Sequence, residues 1–275
     1  MYRRVLFALD LEGVNNVVGE PYMGLVKNCE QWQVAREQAV LEINAAAEAL
    51  FDAGVQRVAL WDNHGGGNNV EPSALDERIE LLSPDPKAPR MSFAAGEFDC
   101  ICYFGYHTMS GTLGGVLSHT MSSVAVQYYK LNGKYIGEVD MDAYIAASHG
   151  MPSRFFAGGD LTCRQAKRSI GDIVTVETKT ELGRNEATFR NNEELLSEIK
   201  TRIVEAVSTD AKPISLTFPA VMEKSFKRME DAAKYLQGRR KLGIAVEHPL
   251  DELLGRDAHT VAATVNNIDE FILSI

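Results

Sequence analysis

The 275 residues are 45% hydrophobic with only 9 prolines and no low-complexity tract, enough chain to bury one large core or two small ones. A net charge of -10 argues against a nucleic-acid partner, and the one dense basic segment, Gly238-Arg239-Arg240-Lys241, reads as a solvated loop. No stretch approaches the length of a membrane span, and Arg3 and Arg4 precede too short an apolar run for a secretory signal, so a cytoplasmic location is expected.

The apolar run Val5 to Leu9 predicts a first strand that ends in Asp10-Leu11-Glu12-Gly13. Residues two apart on a strand point the same way, so Asp10 and Glu12 can face one ion. After a long loop, residues 34–53 carry a helical spacing of Ala, Leu and Ile that Gly54 stops. A second strand, Val58 to Trp61, leads into Asp62-Asn63-His64 and a loop reaching Ser73. The glycines 65–67 in that loop lack the lysine and hydroxyl of a phosphate loop. A third strand, Ile101 to Gly105, leads into Tyr106 and His107.

Beyond His119, the run Val124 to Tyr129, the turn Asn132-Gly133 and the returning Tyr135-Ile136 predict a hairpin, with Glu138 at the end of its arm. A helix from Asp140 to His149 follows, then a strand from Arg154 to Ala157 that ends in Gly158-Gly159-Asp160, with Asp160 placed to cap the next helix. The β-branched run Ile173 to Val176 predicts a strand. The remainder reads as a helix from Glu193 to Val207, a strand Ile214 to Phe218, a charged helix Met222 to Leu236 and a closing helix near Leu250 to Leu273. The fold class expected is α/β, a mixed or mostly parallel sheet flanked by helices with a smaller C-terminal α/β lobe. A composition shift at residues 208–213 divides a metal-binding catalytic part, 1–207, from a lobe at 208–275, unless the two form one continuous domain.

Asp10, Glu12, His64, His107 and Glu138 each stand where a strand runs into a loop, the edge where open α/β sheets bind ligands. Five oxygen and nitrogen donors exceed what one tetrahedral zinc takes, whereas two ions sharing a carboxylate use all five and keep positions open. Capping of loops is the structural alternative for either carboxylate alone. Asp62 is suited to orient an imidazole from behind. His119 could act as general base or nucleophile beside such ions. Cys29, Cys100, Cys102 and Cys163 form no C-x-x-C pair and read as reduced, buried thiols.

On Asp10-Leu11-Glu12-Gly13, Asp62-Asn63-His64, Gly105-Tyr106-His107, Ser118-His119, Gly137-Glu138 and Ala157-Gly158-Gly159-Asp160, the chain resembles the zinc-dependent D-aminopeptidases of the DppA type, self-compartmentalising metallopeptidases. The resemblance spans most of the chain. It implies two Zn2+ per chain, other divalent transition metals being the alternative, with Asp10 bridging, Glu12 and His64 completing one site, and His107 and Glu138 the other. It implies His119 as the catalytic histidine, a short peptide with an N-terminal D-residue as substrate, and a ring-shaped homo-oligomer, a decamer by the family form. Asp160, Lys179 and Arg184 fall in similar stretches and are assigned to substrate or structural contacts. The loops after His64 and between His107 and His119 depart from the family form, so the chemistry is better supported than the specificity. The rival readings are a two-metal hydrolase of another amide or a phosphoester, and a non-catalytic metal-binding paralogue.

Overall fold

The computed structural model describes residues 1–275. In chain order the elements are β1 (Arg4–Leu9), α1 (Glu30–Asp52), β2 (Arg57–Asp62), β3 (Ile79–Leu82), β4 (Cys100–Tyr106), β5 (Val126–Leu131), β6 (Lys134–Ile136), α2 (Glu138–Ser148), β7 (Ser153–Gly158), α3 (Asp160–Ile170) and β8 (Val174–Glu177). The rest is β9 (Lys179–Gly183), β10 (Glu186–Phe189), α4 (Asn192–Ser208), β11 (Ala220–Phe226), α5 (Met229–Lys241), β12 (Ala245–Glu247), β13 (Leu250–Asp251), β14 (Gly255–Arg256), β15 (Thr260–Val265) and α6 (Ile268–Leu273). No helix is long and apolar enough to cross a membrane.

The central sheet is parallel, in the order β3-β2-β1-β4-β7-β8. Both its faces are covered, and the period of two along each strand divides its side chains between two cores. Val5, Phe7 and Leu9 of β1 pack with α1 and α4, whereas Leu6 and Ala8 pack on the opposite side with α2, β5 and α6. Cys100, Cys102 and Phe104 of β4 follow the first set, and Ile101 and Tyr103 the second. Three of the four free cysteines are buried, while Cys29 is half-buried and its Sγ accepts the Trp32 N–H at the start of α1.

The chain runs from β1 outward to β2 and β3, then returns to add β4 on the other side of β1, so the sheet reverses direction between β1 and β4. The crevice outside the carboxyl ends of strands at such a reversal is where this architecture binds ligands. Gly105 sharpens the crevice. Its φ of +69° interrupts the alternation, so Tyr106 joins the same core as Ile101 and Tyr103. The same kink lets the Asp10 N–H reach the Phe104 carbonyl (2.8 Å) and the Gly13 N–H reach the Gly105 carbonyl (2.6 Å).

A second, antiparallel sheet has the order β12-β15-β11-β5-β6, so strands from either side of residue 208 share it. The structure departs from several expectations. Residues 214–218 form no strand, although Leu216 and Phe218 pack on the core; they lie between Pro213 and Pro219, which carry no N–H for a ladder. The charged helix expected from Met222 splits into β11 and α5, because Ala220 and Met222 alternate inward and pair with β15 and β5. The closing helix is replaced by the hairpin β13–β14, strand β15 and the short α6, where long-range pairing overrides local helical spacing. Glu138 opens α2 rather than ending a hairpin arm. Strand β3 and the hairpin β9–β10 were not expected from the sequence.

A Cβ at Gly105 would stand 2.0 Å from the Asp10 carbonyl oxygen, a backbone atom that cannot swing aside. Gly105→Ala is therefore expected to cost at least about 2 kcal/mol in urea denaturation, from the left-handed backbone and the clash together. A loss below about 0.5 kcal/mol would show that the kink is not needed.

Candidate metal centre

Strand ends and one helix start carry the donors. Asp10 and Glu12 follow β1, His64 opens a single 3-10 turn after β2, and His107 follows β4. Glu138 is the first residue of α2, where the helix dipole favours a negative side chain. His119 lies in the loop between β4 and β5, its backbone N–H bonded to the Thr108 carbonyl (3.2 Å).

The two oxygens of Asp10 face different partners. Oδ1 lies 2.9 Å from His64 Nδ1, which is also 3.1 Å from Glu12 Oε2. Oδ2 lies 3.4 Å from His107 Nε2, which is 3.2 Å from Glu138 Oε1. Two triads, Asp10-Glu12-His64 and Asp10-His107-Glu138, thus share Asp10, and in each the potential ligand atoms lie within 4.8 Å of one another. A third grouping, Glu12-His107-His119, brings the remaining histidine to the same cluster. The His107 and His119 rings stack with centroids 3.8 Å apart and planes 9° from parallel.

Asp10, Glu12 and Glu138 are 4%, 5% and 8% exposed, so three carboxylates converge with almost no water. Buried anions require nearby positive charge. Burial and then the Glu12 charge push the Asp10 pKa up. Burial opposes charge on His64 and His107, yet Glu12 and hydrogen bonds to Asp10 and Glu12 raise the first, and Glu138 raises the second. His119 goes the other way: burial, then the neighbouring His107, lowers its pKa.

This donor set fits a divalent cation. All the side chains are hard or borderline ligands, and His107 Nε2 is buried without a well-directed hydrogen bond even though Glu138 is close. The tautomers agree as well. His107 Nδ1 donates to the Thr108 carbonyl (3.0 Å) and His119 Nδ1 to the Leu117 carbonyl (2.8 Å), which leaves the Nε2 lone pairs free.

The centre lies in a cleft of about 590 Å³ lined also by Met23, Asn63, Arg90, Met121 and Arg184. Arg184 is exposed at its edge, and its Nη1 donates to the Ser118 carbonyl (3.3 Å). Two other residues take places different from those expected. Asp62 does not touch the His64 ring; it accepts from Asn69 N and Nδ2 (2.6 and 2.9 Å), and Asn69 holds the His64 carbonyl (2.7 Å). Asp160 does not cap α3, whose first N–H groups go to Glu181 Oε2; Asp160 instead accepts from Glu181 N (2.8 Å). Lys179, expected in substrate or structural contacts, makes structural ones: it is 1% exposed, its Nζ donating to the carbonyls of Glu12 (2.5 Å), Val14 (2.9 Å) and Val17 (2.5 Å).

Lys179 thus ties down the loop that carries Glu12, and a second buried group meets that loop from α1. Glu42 Oε1 accepts from Asn15 N (3.0 Å) and Gln38 Nε2 (3.1 Å). Sequence reading missed Glu42, because a Glu inside a helix gives no local sign of burial. Burial pushes its pKa up from 4.5 to about 7. Between those values the folded chain keeps a proton that the unfolded chain releases, so the stability this proton contributes is lost as pH rises toward 7. In urea denaturation, wild type should lose up to about 1.4 kcal/mol per pH unit relative to Glu42→Gln between pH 4.5 and 7, with no further change above. A constant difference across that window would contradict the assignment.

A family model described as D-aminopeptidase, that of the M55 peptidases, matches residues 3–243. A curated D-aminopeptidase of Bacillus subtilis (strain 168) is 26% identical over 184 residues, 66% of this chain and 65% of the relative, so the chain spans less than two thirds of that protein. A solved structure described as Zn-dependent D-aminopeptidase DppA from Bacillus subtilis, a self-compartmentalizing protease, superposes with a TM-score of 0.84 at 20% identity, covering 98% of this chain and 94% of its own. That likeness establishes the shared fold. Because the family match runs through β1, β2, β4 and α2, and so through all five donors and His119, the chain belongs to the M55 family of D-aminopeptidases.

Proposed function

We propose that the protein is a dinuclear zinc aminopeptidase that removes an N-terminal residue, of D configuration, from short peptides. One observation carries this reading: the two oxygens of Asp10 face separate histidine and carboxylate pairs, with His119 stacked beside them at the cleft. Zinc and D-selectivity are supported by the descriptions of the Bacillus subtilis relatives. Asp10 would bridge the ions, with Glu12 and His64 holding one and His107 and Glu138 the other. Bound there, zinc supplies Lewis acidity for the scissile carbonyl and for water.

The chain's own residues account for the rest of the reaction. Leu117 fixes the His119 tautomer through Nδ1, and burial beside His107 keeps the ring neutral. Nε2 is therefore a free lone pair, 3.8 Å from Glu138 Oε1. It can take a proton from the attacking group and return it to the leaving amine, or attack the carbonyl directly. Stacking on His107 holds the ring plane, so its donor direction does not depend on substrate. Glu138 is steadied by the Met121 N–H (2.7 Å), which couples the His119 loop to α2. The self-compartmentalizing description of the structural relative supports homo-oligomeric assembly for this chain too, in the ring, a decamer, that the family resemblance implies.

His119→Ala is expected to lower kcat on D-Ala-D-Ala by about a thousandfold or more while metal content is unchanged. Wild type should release alanine from the D-peptide and far less from L-Ala-L-Ala, and should sediment as an oligomer. An active His119→Ala enzyme would remove the histidine from the mechanism, and equal rates on both peptides would remove the stereochemical claim.

A further inference from the structure

Arg90 lines the cleft but has no part in the chemistry above. It stands in the loop between β3 and β4, and its Nε and Nη2 donate to the two oxygens of Asp142 at 2.6 and 2.8 Å. Asp142 is fully buried and also accepts the Tyr106 hydroxyl (2.7 Å), which in turn accepts from Asn63 Nδ2 (3.3 Å). Trp61 covers one face of the guanidinium, its ring centroid 4.9 Å from Cζ. Asp142 follows Glu138 by one helical turn, on the same face of α2, so this assembly sits about 6 Å along the helix from a metal-centre carboxylate.

A guanidinium has two edges that can grip a carboxylate side by side. Asp142 occupies the Nε/Nη2 edge. The other edge, Nη1 with the second Nη2 hydrogen, has no protein partner, and Nη1 is not among the buried polar atoms left unsatisfied, so it reaches solvent. Arg90 lines the cleft and Asp142 does not, so the cleft is the space available to the edge that Asp142 leaves open. Asp142, Tyr106 and Trp61 hold this donor pair still, which lowers the entropy lost when an anion docks.

We propose that Arg90 is a substrate-binding residue whose free edge receives a carboxylate of the peptide. The inference rests on the aminopeptidase reading above. Two parts of a short peptide offer that group, the C-terminus and an acidic side chain, and both present the same planar pair of oxygens.

The test uses the metal-loaded enzyme and two matched substrate pairs. D-Ala-D-Ala against its C-terminal amide reports on the terminus, and D-Glu-D-Ala-amide against D-Gln-D-Ala-amide reports on the side chain. Arg90→Met alone would leave Asp142 buried and unpaired, so the variants are Arg90→Lys, which keeps a cation on Asp142, and the charge-neutral pair Arg90→Met with Asp142→Asn. Wild type is expected to favour the carboxylate member of one pair by about tenfold in kcat/KM, carried by KM, and both variants to bring that ratio to within about threefold of one. A ratio near one for both pairs in the wild type, or a preference that survives in both variants, would overturn the inference; the latter would move the carboxylate to another cleft cation such as Arg184. If the wild type cleaves none of the four peptides, the aminopeptidase reading falls and the inference with it.

Discussion

Mutual repulsion among the carboxylates of Asp10, Glu12 and Glu138 is the constraint on which the rest of the centre depends. Each is nearly inaccessible to water, and none is paired with a lysine or arginine. A buried anion left alone would unfold its surroundings or take up a proton, so positive charge must be supplied within the cluster. Imidazoles can supply part of it, at the expense of the lone pairs that make them useful. Divalent cations can supply all of it, leave the imidazoles neutral, and use Asp10 from both sides.

Holding three like charges together requires a frame that does not relax. Parallel strands provide one half, because β1, β2 and β4 end side by side at the reversal of the sheet. The kink at Gly105 provides another, locking the segment from Asp10 to Gly13 against β4 by two backbone hydrogen bonds. Beneath the loop after Glu12 lies a buried polar floor. Lys179 gathers three carbonyls there, and Glu42 meets the Asn15 N–H. These groups set where Glu12 stands, and errors of about 1 Å in such positions are costly to catalysis.

The clustering of the five candidate donors was legible in the sequence because each follows a short apolar run that reads as a buried strand, or stands near a turn with strong chemistry of its own. Period and position sufficed for Asp10, Glu12, His64 and His107. Glu138 was found although its element was misjudged, since Asn132-Gly133 fixes the hairpin ahead of it and not the helix it begins. The groups around the donors were much less legible. Asp62 bonds Asn69 rather than the imidazole, and the sequence left open which of two kinds of contact Lys179 makes, because such partners are set by tertiary packing. Arg90 gave no signal, standing in a loop far from its partner in sequence, although Asp142 at one helical turn from Glu138 could have prompted a search for its cation. The C-terminal part was misread most, since β11 and β15 exist through each other and through β5. Local spacing carries little information about such pairing.

The most direct measurement is metal content per chain, by elemental analysis, for wild type beside Asp10→Ala and Glu12→Gln. Sharing of Asp10 predicts two divalent ions in the wild type, loss of both in Asp10→Ala, and retention of one held by His107 and Glu138 in Glu12→Gln. One ion per wild-type chain, or an Asp10→Ala protein that keeps two, would contradict a centre built on a single bridging carboxylate.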